Sequence, residues 1–558
     1  MNQTPFFARL IFLILITQAL RVQGIEPVNP KLTPSARKVL GYLESVYQKK
    51  MLSGYNVYVH TPDDYEQTGK QAAVWGRDIR WLGEVEKHAE HARRHGYILT
   101  LHWHWYFDGD SAWTGKRKKP VDVARMVTPG TLEHVQTMKE LAAAADKLQV
   151  FADADVPVLW RPLHEIDGGW FWWTDKKKPE NTARLWRMMF DYFTHTRKLN
   201  NLIWVYSAGV GKKSLEERKR FYPGAAYVDI SGIDVYGVDV RTDTEKYWGY
   251  YRMMEQVSPG KMLACGEGDA IPDPVKTATG KLPKWLYALP WWGTPSSKRP
   301  VDWALFTMRH DYVITLDEMP ALGPGPLAPQ VGILEPLDDG SVVFTNRPPV
   351  FKAYAVDRDG AVKRVTFMAN GKPIGVVKSQ PYTFTWKNAP PGCYDITALA
   401  EDDTGRKTTS NRVRTRVGMV DLAHGRPVVV SSGDKPEQAV DANYFTSWSA
   451  AKSDQAWIYV DLGKEREIDR VNLMWGWKIH PSKFTIDVAR TAPEKAESWS
   501  TVFTETDRPY RTWEATDRVQ FHKTRTRYVR VSANRRAGNQ NWSGYKLTAL
   551  EVPVRANR

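Results

Sequence analysis

Between residues 33 and 325 the chain alternates short apolar runs with longer amphipathic ones. The short runs are 51–56 (MLSGYN), 72–77 (AAVWGR), 97–103 (YILTLHW), 156–163 (VPVLWRPL), 201–206 (NLIWVY), 228–235 (VDISGIDV), 261–266 (KMLACG) and 285–291 (WLYALPW). They are continuously apolar rather than alternating, which suits parallel strands covered on both faces. Helical spacing fills 81–95, 131–149 and 179–199, and His95-Gly96 ends the first of these with a stop signal. Eight strand-plus-helix units in this length predict a (β/α)8 TIM barrel. On pattern alone, a doubly wound open sheet is the alternative.

The pattern changes at 321–329 (ALGPGPLAP), a Pro/Gly linker. Beyond it come short strands punctuated by Asp359-Gly360, Asn370-Gly371 and Thr404-Gly405, which are hairpin signals at all-β spacing. Residues 420–556 are again all-β. The expected organisation is therefore multidomain. A leader occupies 1–24, a barrel 25–325, a small sandwich 326–418 and a second sandwich 419–558.

The leader reads as a secretory signal. A short n-region ends at Arg9, an apolar run spans Leu10 to Leu20, and Val22-Gln23-Gly24 offers a small-residue cleavage site. That run is too short to cross a bilayer, which takes about twenty residues. A secreted or periplasmic protein is expected, with no membrane span. Only two cysteines occur, Cys265 and Cys393, in different domains, so no disulfide framework holds the fold.

Composition changes the picture in two places. The formal charge is +15, which raises nucleic acid as a partner. The basic residues are dispersed, however, and the densest runs, Lys116–Lys119 and Lys176–Lys178, read as solvated loops. No nucleic-acid partner is expected. The chain also has 24 tryptophans, sixteen in the barrel, one in the spacer and seven in the last domain. Flat indole faces suit sugar rings, although burial is the commoner fate of Trp.

Two carboxylates carry the chemistry. Glu165 follows strand four in Arg161-Pro162-Leu163-His164-Glu165, which runs into Asp167-Gly168-Gly169-Trp170-Phe171-Trp172-Trp173. Glu267 closes strand seven in Ala264-Cys265-Gly266-Glu267-Gly268. Catalytic groups of barrels gather at the C-terminal strand ends, and strands four and seven face each other across the mouth. Two carboxyls there can flank a glycosidic bond.

Residues 33–320 resemble glycoside hydrolase family 26, best known as β-mannanases. The matching landmarks are Leu52-Ser53-Gly54, Thr100-Leu101-His102-Trp103-His104, the segment Trp160 to Trp173, Asn201–Tyr206 and Val228–Tyr236. The resemblance implies a retaining glycosidase with Glu165 as acid/base and Glu267 as nucleophile. It also implies that His104 contacts the sugar at the cleavage site and that His164 precedes the acid/base. Trp170 would stack on substrate, Tyr236 would hydrogen-bond the nucleophile, and Trp291 or Trp292 would form the floor. Two departures leave the sugar preference open: the Gly-Glu-Gly-Asp-Ala run around Glu267, and Asp167 where the family usually has Asn.

His102 and His104 lie two apart on a strand and share a face, as metal ligands in a barrel metallohydrolase would. Such an enzyme would also need His or Lys at later strand ends. Tyr206-Ser207 and Tyr236 stand there instead, so the set is incomplete and no catalytic cofactor is expected.

Residues 330–417 resemble bacterial immunoglobulin-like spacers. Residues 420–556 resemble discoidin-type domains, which include carbohydrate-binding module family 32. That likeness rests on Ala439–Trp448, Trp457–Gly463, Arg527–Val531 and Leu550–Val552. It implies a jelly roll with a structural calcium held by Asp441, Thr446 and Glu551. Its loops offer Trp477, His480, Trp513 and Trp542 as glycan contacts, while Trp448 and Trp457 fit buried positions.

Taken together, the residues and the resemblance predict a monomeric, exported, retaining glycosidase acting on β-1,4-mannan, with no cofactor beyond calcium. The alternatives are another β-glycan, such as β-1,3-xylan or mixed-linkage glucan, and a non-catalytic glycan-binding protein.

Overall fold

A computed structural model describes residues 26–56, 68–211, 213–239, 243–291, 301–336, 343–344, 348–443, 446–476, 479–491, 498–510, 515–537 and 544–556. The leader and residues 292, 477, 513 and 542 lie outside the described residues.

The eight expected strands are all present: β1 Met51–Asn56, β2 Val74–Asp78, β3 Ile98–His102, β4 Val158–Arg161, β5 Leu202–Gly209, β6 Ile230–Val235, β7 Met262–Gly268 and β8 Tyr287–Pro290. Each pairs in parallel with the next, and β1 pairs with both β8 and β2, which closes the barrel. An open doubly wound sheet is thereby excluded. Every strand position is buried, as the unbroken apolar runs require. At the seam, a Cβ on Gly54 would sit 2.6 Å from Leu289 and 2.9 Å from the Ala288 carbonyl. Glycine there lets β1 and β8 approach.

Helices cover the outside. Pro34–Val46 starts on Thr33, whose hydroxyl accepts from Ala36 N. Val85–His95 ends at Gly96, which has the left-handed φ of 59° that glycine tolerates. Leu132–Asp153 starts on Thr131, and Pro179–Asp191 has proline at its first turn. The 179–199 run differs from expectation in its last part. A π turn at Tyr192–Thr196 follows the helix and ends it early.

The spacer packs a sheet of Gln330–Glu335, Val350–Val356 and Tyr382–Thr385 against a larger one built on Val362–Ala369 and Gly392–Asp402. Phe351, Phe367 and Ile396 lie in its core. The last domain is dominated by the long strands Ala456–Trp475 and Ala515–Arg536, which pair antiparallel. Polar contacts join the units. Arg309 donates to Thr68 O (2.7 Å) and Leu334 O (3.0 Å), and Arg416 pairs with Glu551 (2.7 Å). Among the described residues, no helix is long and apolar enough to cross a membrane.

Candidate active site

After β4 the chain leaves the barrel through a strained turn. Leu163 and Glu165 both take left-handed φ angles, 48° and 49°. Such residues cost about 1–3 kcal/mol each and persist where the surroundings over-determine them. The surroundings are visible here. Ile166 N bonds Ser207 O (3.1 Å), Gly168 N bonds Glu165 O (2.8 Å), and Asp167 accepts from Gly209 N (2.8 Å). Arg218 ion-pairs with Asp167 and donates to Gly209 O (2.8 Å), locking the turn to the end of β5. The result is a Glu165 residue that is only 9% exposed.

Burial, followed by the charges of Asp234 and Glu267, pushes the Glu165 carboxyl up to about 9. The Trp170 indole N–H, 2.5 Å from Glu165 Oε2, opposes that shift, as does Arg161. Glu165 is thus a proton donor at neutral pH.

Glu267 owes its direction to a bulge. Ile233 pairs with Cys265, but Asp234 pairs with Glu267, so Gly266 is the extra residue on β7. A Cβ on Gly266 would lie 2.6 Å from Asp234 Oδ1, so only glycine fits. Tyr236 donates to Glu267 Oε2 at 2.8 Å, and Arg161 donates to Oε1. Burial and the nearby carboxylates raise the Tyr236 phenol, which keeps its proton for this bond. Arg161 also grips Asp234 with one nitrogen, at 3.1 and 2.9 Å, while Ser207 Oγ donates to Asp234 Oδ1 at 2.6 Å.

Beside the carboxyls stands a group of imidazoles. His104 Nδ1 donates to Asp78 Oδ2 at 2.6 Å, because an ionised carboxylate can only accept. Trp113 stacks on His104, with ring centres 4.8 Å apart. His164 is 1% exposed and lies edge-on to His104 at 4.6 Å, and burial first, then neighbouring charges, holds it neutral. Trp291, just past β8, approaches His102 at 5.1 Å and His104 at 6.1 Å.

Residues 28–318, just over half of the chain, match the glycosyl hydrolase family 26 profile. The chain belongs to glycosyl hydrolase family 26. Residues 329–398 match a bacterial Ig domain, and 438–531 match the NedA-like, galactose-binding domain. A mannan endo-1,4-beta-mannosidase of Thermothelomyces thermophilus is 30% identical over 321 residues, covering 52% of this chain and 62% of that protein. One from Bacillus subtilis is 27% identical over 326 residues, covering 50% and 87%. The chain spans 62%, 48% and 45% of the first three curated relatives. Among solved structures, a β-mannanase from a symbiotic protist of the termite Reticulitermes speratus is 30% identical. The match covers 53% of this chain and 97% of that one, with a TM-score of 0.47.

The family 26 barrel therefore gathers Glu165, Glu267, His104, His164, Trp170, Tyr236 and Trp291 at one mouth. Three participants were not assigned from sequence: Asp78, Asp234 and Arg161. Trp170 is half-buried at the mouth. Its ring packs against Gly168 and Gly209, where a Cβ would come within 2.4 and 2.9 Å, and its N–H serves Glu165. Trp103 turns away from the site and stacks on Trp105 at 4.3 Å.

The last domain needs one correction. His480 is fully buried beside Tyr510 and the Pro481 carbonyl, so it is not a surface sugar contact. Of the three residues expected to hold calcium, Asp441 and Thr446 meet directly. Asp441 accepts from Thr446 Oγ1 (2.7 Å) and Asn443 N (2.8 Å). Glu551 accepts from Arg416 with one oxygen (2.7 Å) and from Asn472 with the other (2.9 Å). As expected, Trp448 is buried, whereas Trp457 is half-buried and stacks on Tyr459.

Proposed function

We propose that the barrel hydrolyses β-1,4-mannosidic bonds in mannan-type polysaccharides with retention of configuration. The observation that carries this reading is the opposite treatment of two carboxyls at one barrel mouth. Burial and neighbouring charge keep Glu165 protonated. Glu267 receives donors on both oxygens, from Arg161 and Tyr236, the partner set of a carboxylate nucleophile.

In the first step Glu165 gives its proton to the leaving glycosidic oxygen as Glu267 Oε bonds to the anomeric carbon. In the second, the ionised Glu165 takes a proton from water, whose oxygen attacks that carbon and expels Glu267. The charges of Glu267 and Asp234 help to raise the Glu165 carboxyl. Once Glu267 is esterified its charge is gone, so Glu165 becomes more acidic as its role changes to base. His104, fixed by Asp78, is placed to meet a sugar hydroxyl beside the cleaved bond.

The relatives named above are mannan endo-1,4-beta-mannosidases, which supports mannan as the first substrate to test. Incubation of the full chain with β-mannans, β-glucans and β-xylans is expected to release oligosaccharides from β-1,4-mannan. Glu267→Ala should abolish release. Glu165→Ala should spare aryl glycosides with good leaving groups, because these need no protonation. If all polymers stay intact with the folded protein, the reading is discarded. Cleavage of β-1,3-xylan or mixed-linkage glucan alone would keep the mechanism and change the substrate.

Residues 1–24 are proposed to direct export, which N-terminal sequencing of the mature protein checks. The terminal domain is proposed to bind glycan and raise the local substrate concentration by tethering. A chain ending at residue 418 should then lose rate on insoluble mannan and keep it on soluble oligosaccharides.

A further inference from the structure

His102 is not explained by the hydrolytic machinery. It ends β3, is 2% exposed, and its Nε2 has no hydrogen-bond partner. A buried nitrogen left unpaired costs free energy that a bound partner would recover. Asp78 Oδ2 lies 3.8 Å from it. The same oxygen holds His104 Nδ1 at 2.6 Å.

Asp78, His102 and His104 thus point three donor atoms at one spot. These atoms lie within 4.8 Å of one another, and this is the one such group of three among the described residues. Two imidazoles missing a third ligand in the sequence find it on β2, the neighbouring strand, rather than on a later one. Zinc takes nitrogen and oxygen ligands at about 2.0–2.2 Å in a tetrahedron, which sets adjacent donors about 3.3 Å apart. The observed 2.6 and 3.8 Å bracket that spacing, so modest ring rotation suffices. The His104 side chain keeps 7% exposure, which leaves the cluster an edge toward the barrel mouth.

We propose that Asp78, His102 and His104 bind a late first-row divalent cation such as Zn2+, and that its binding switches the enzyme off. Two imidazoles and one carboxylate favour Zn2+, Cu2+ or Ni2+ over Mg2+ and Ca2+. The inhibitory half rests on the reading above in which His104 meets the sugar, whereas the binding half does not. The proton balance is closed. In the tautomer that donates Nδ1–H to Asp78, His104 Nε2 is the accepting nitrogen. When the metal takes the Nδ1 lone pair, that proton moves to Nε2. Nε2 changes from hydrogen-bond acceptor to donor, and the ring turns toward the metal. Both changes disturb a fixed sugar contact.

The test titrates ZnCl2 into the full-length protein by calorimetry and follows mannan hydrolysis in parallel. Co2+ serves as a spectroscopic substitute, since nitrogen ligands shift its d–d absorption. One equivalent should bind the wild type, with hydrolysis falling at least about tenfold and EDTA restoring it. His102→Phe fills the same buried space without a ligand atom, and His102→Gln provides a second variant of different shape. Each should bind Zn2+ roughly tenfold or more weakly than the wild type. Metal-free hydrolysis should stay near wild type, because His102 touches neither carboxyl. Absent binding to the wild type overturns the proposal, as does unchanged affinity in a folded His102 variant. Stoichiometric binding with undiminished hydrolysis overturns the switch. A protein that binds Zn2+ through His102 yet cleaves no β-glycan would sink the hydrolytic reading alone.

Discussion

Trp170 donates its indole N–H to Glu165 Oε2 at 2.5 Å, from five residues further along the same loop. The bond favours the charged carboxylate, so it works against the burial that raises Glu165. Trp170→Phe removes the donor and keeps most of the ring. Glu165 should then become a weaker acid, and it must be protonated to give its proton to the glycosidic oxygen. The basic limb of the kcat/KM profile should therefore move upward by about half a unit to one unit. A limb that stays in place or moves down would show that the indole does not tune this carboxyl.

Asp234→Asn should move the same limb the other way. After burial, the Asp234 charge is the largest influence raising Glu165. Asparagine removes the charge and still accepts from Ser207. The acid then ionises at lower pH and activity is lost earlier as pH rises. Stability should fall as well, because Arg161 loses its bidentate partner inside the barrel. Breaking a buried pair costs about 3–5 kcal/mol, read as a drop in Tm. An unchanged or upward limb in a folded variant rejects the electrostatic argument.

The barrel was legible because parallel strands buried on both faces must be apolar throughout, and such runs stand out. Glu165 and Glu267 were legible for a related reason, since each interrupts the polarity pattern at a strand end. Asp78 was not. The expected β2 stopped at Arg77, one residue short, and nothing local shows that His104 pairs with a residue 26 positions earlier. Asp234 was hidden inside a strand, where its two neighbours are apolar. Trp103 could have been placed. Side chains alternate on a strand, so residue 103 must face away from 102 and 104. In the last domain, loop depth decides the outcome. Ala537 N bonds the His480 carbonyl at 3.1 Å and draws that residue inward, a contact spanning 57 positions. Arg416 of the spacer also pairs with Glu551, a contact across a domain boundary that nothing local announces.

Asp167 is explained by Arg218. The family usually has Asn at this place, and here a carboxylate meets a fully buried guanidinium. Asp167→Asn leaves Arg218 its carbonyl partner on Gly209 and takes away the counter-charge. Stability should fall by up to about 3–5 kcal/mol, because the remaining cation is buried. Asparagine still accepts from Gly209 N, which keeps the turn that carries Glu165, so kcat of the folded fraction should stay within a fewfold of wild type. Arg218→Met alone leaves Asp167 buried without its cation, and adding Asp167→Asn should recover part of that loss. If the double variant is as unstable as the two single losses added together, the residues are not coupled and the pairing is incidental.

Gly266→Ala tests whether the bulge on β7 aims Glu267. The added methyl would lie 2.6 Å from Asp234 Oδ1 and 3.1 Å from Ser207 Oγ. Both atoms are buried, and each is already bonded to the other. Asp234 must therefore move, and Arg161 moves with it because it grips both Asp234 oxygens. Arg161 also holds Glu267, so the displacement passes to the attacking carboxylate. Overpacking of this kind costs about 1–3 kcal/mol, which leaves a folded protein. A displacement of about 1 Å at a reacting atom costs on the order of a hundredfold in rate. Circular dichroism should then show an intact fold with a slightly lowered Tm, while kcat on mannan falls by about that factor. A folded Gly266→Ala protein with wild-type kcat would mean that Glu267 is aimed by Tyr236 alone and that the Arg161–Asp234 grip is dispensable.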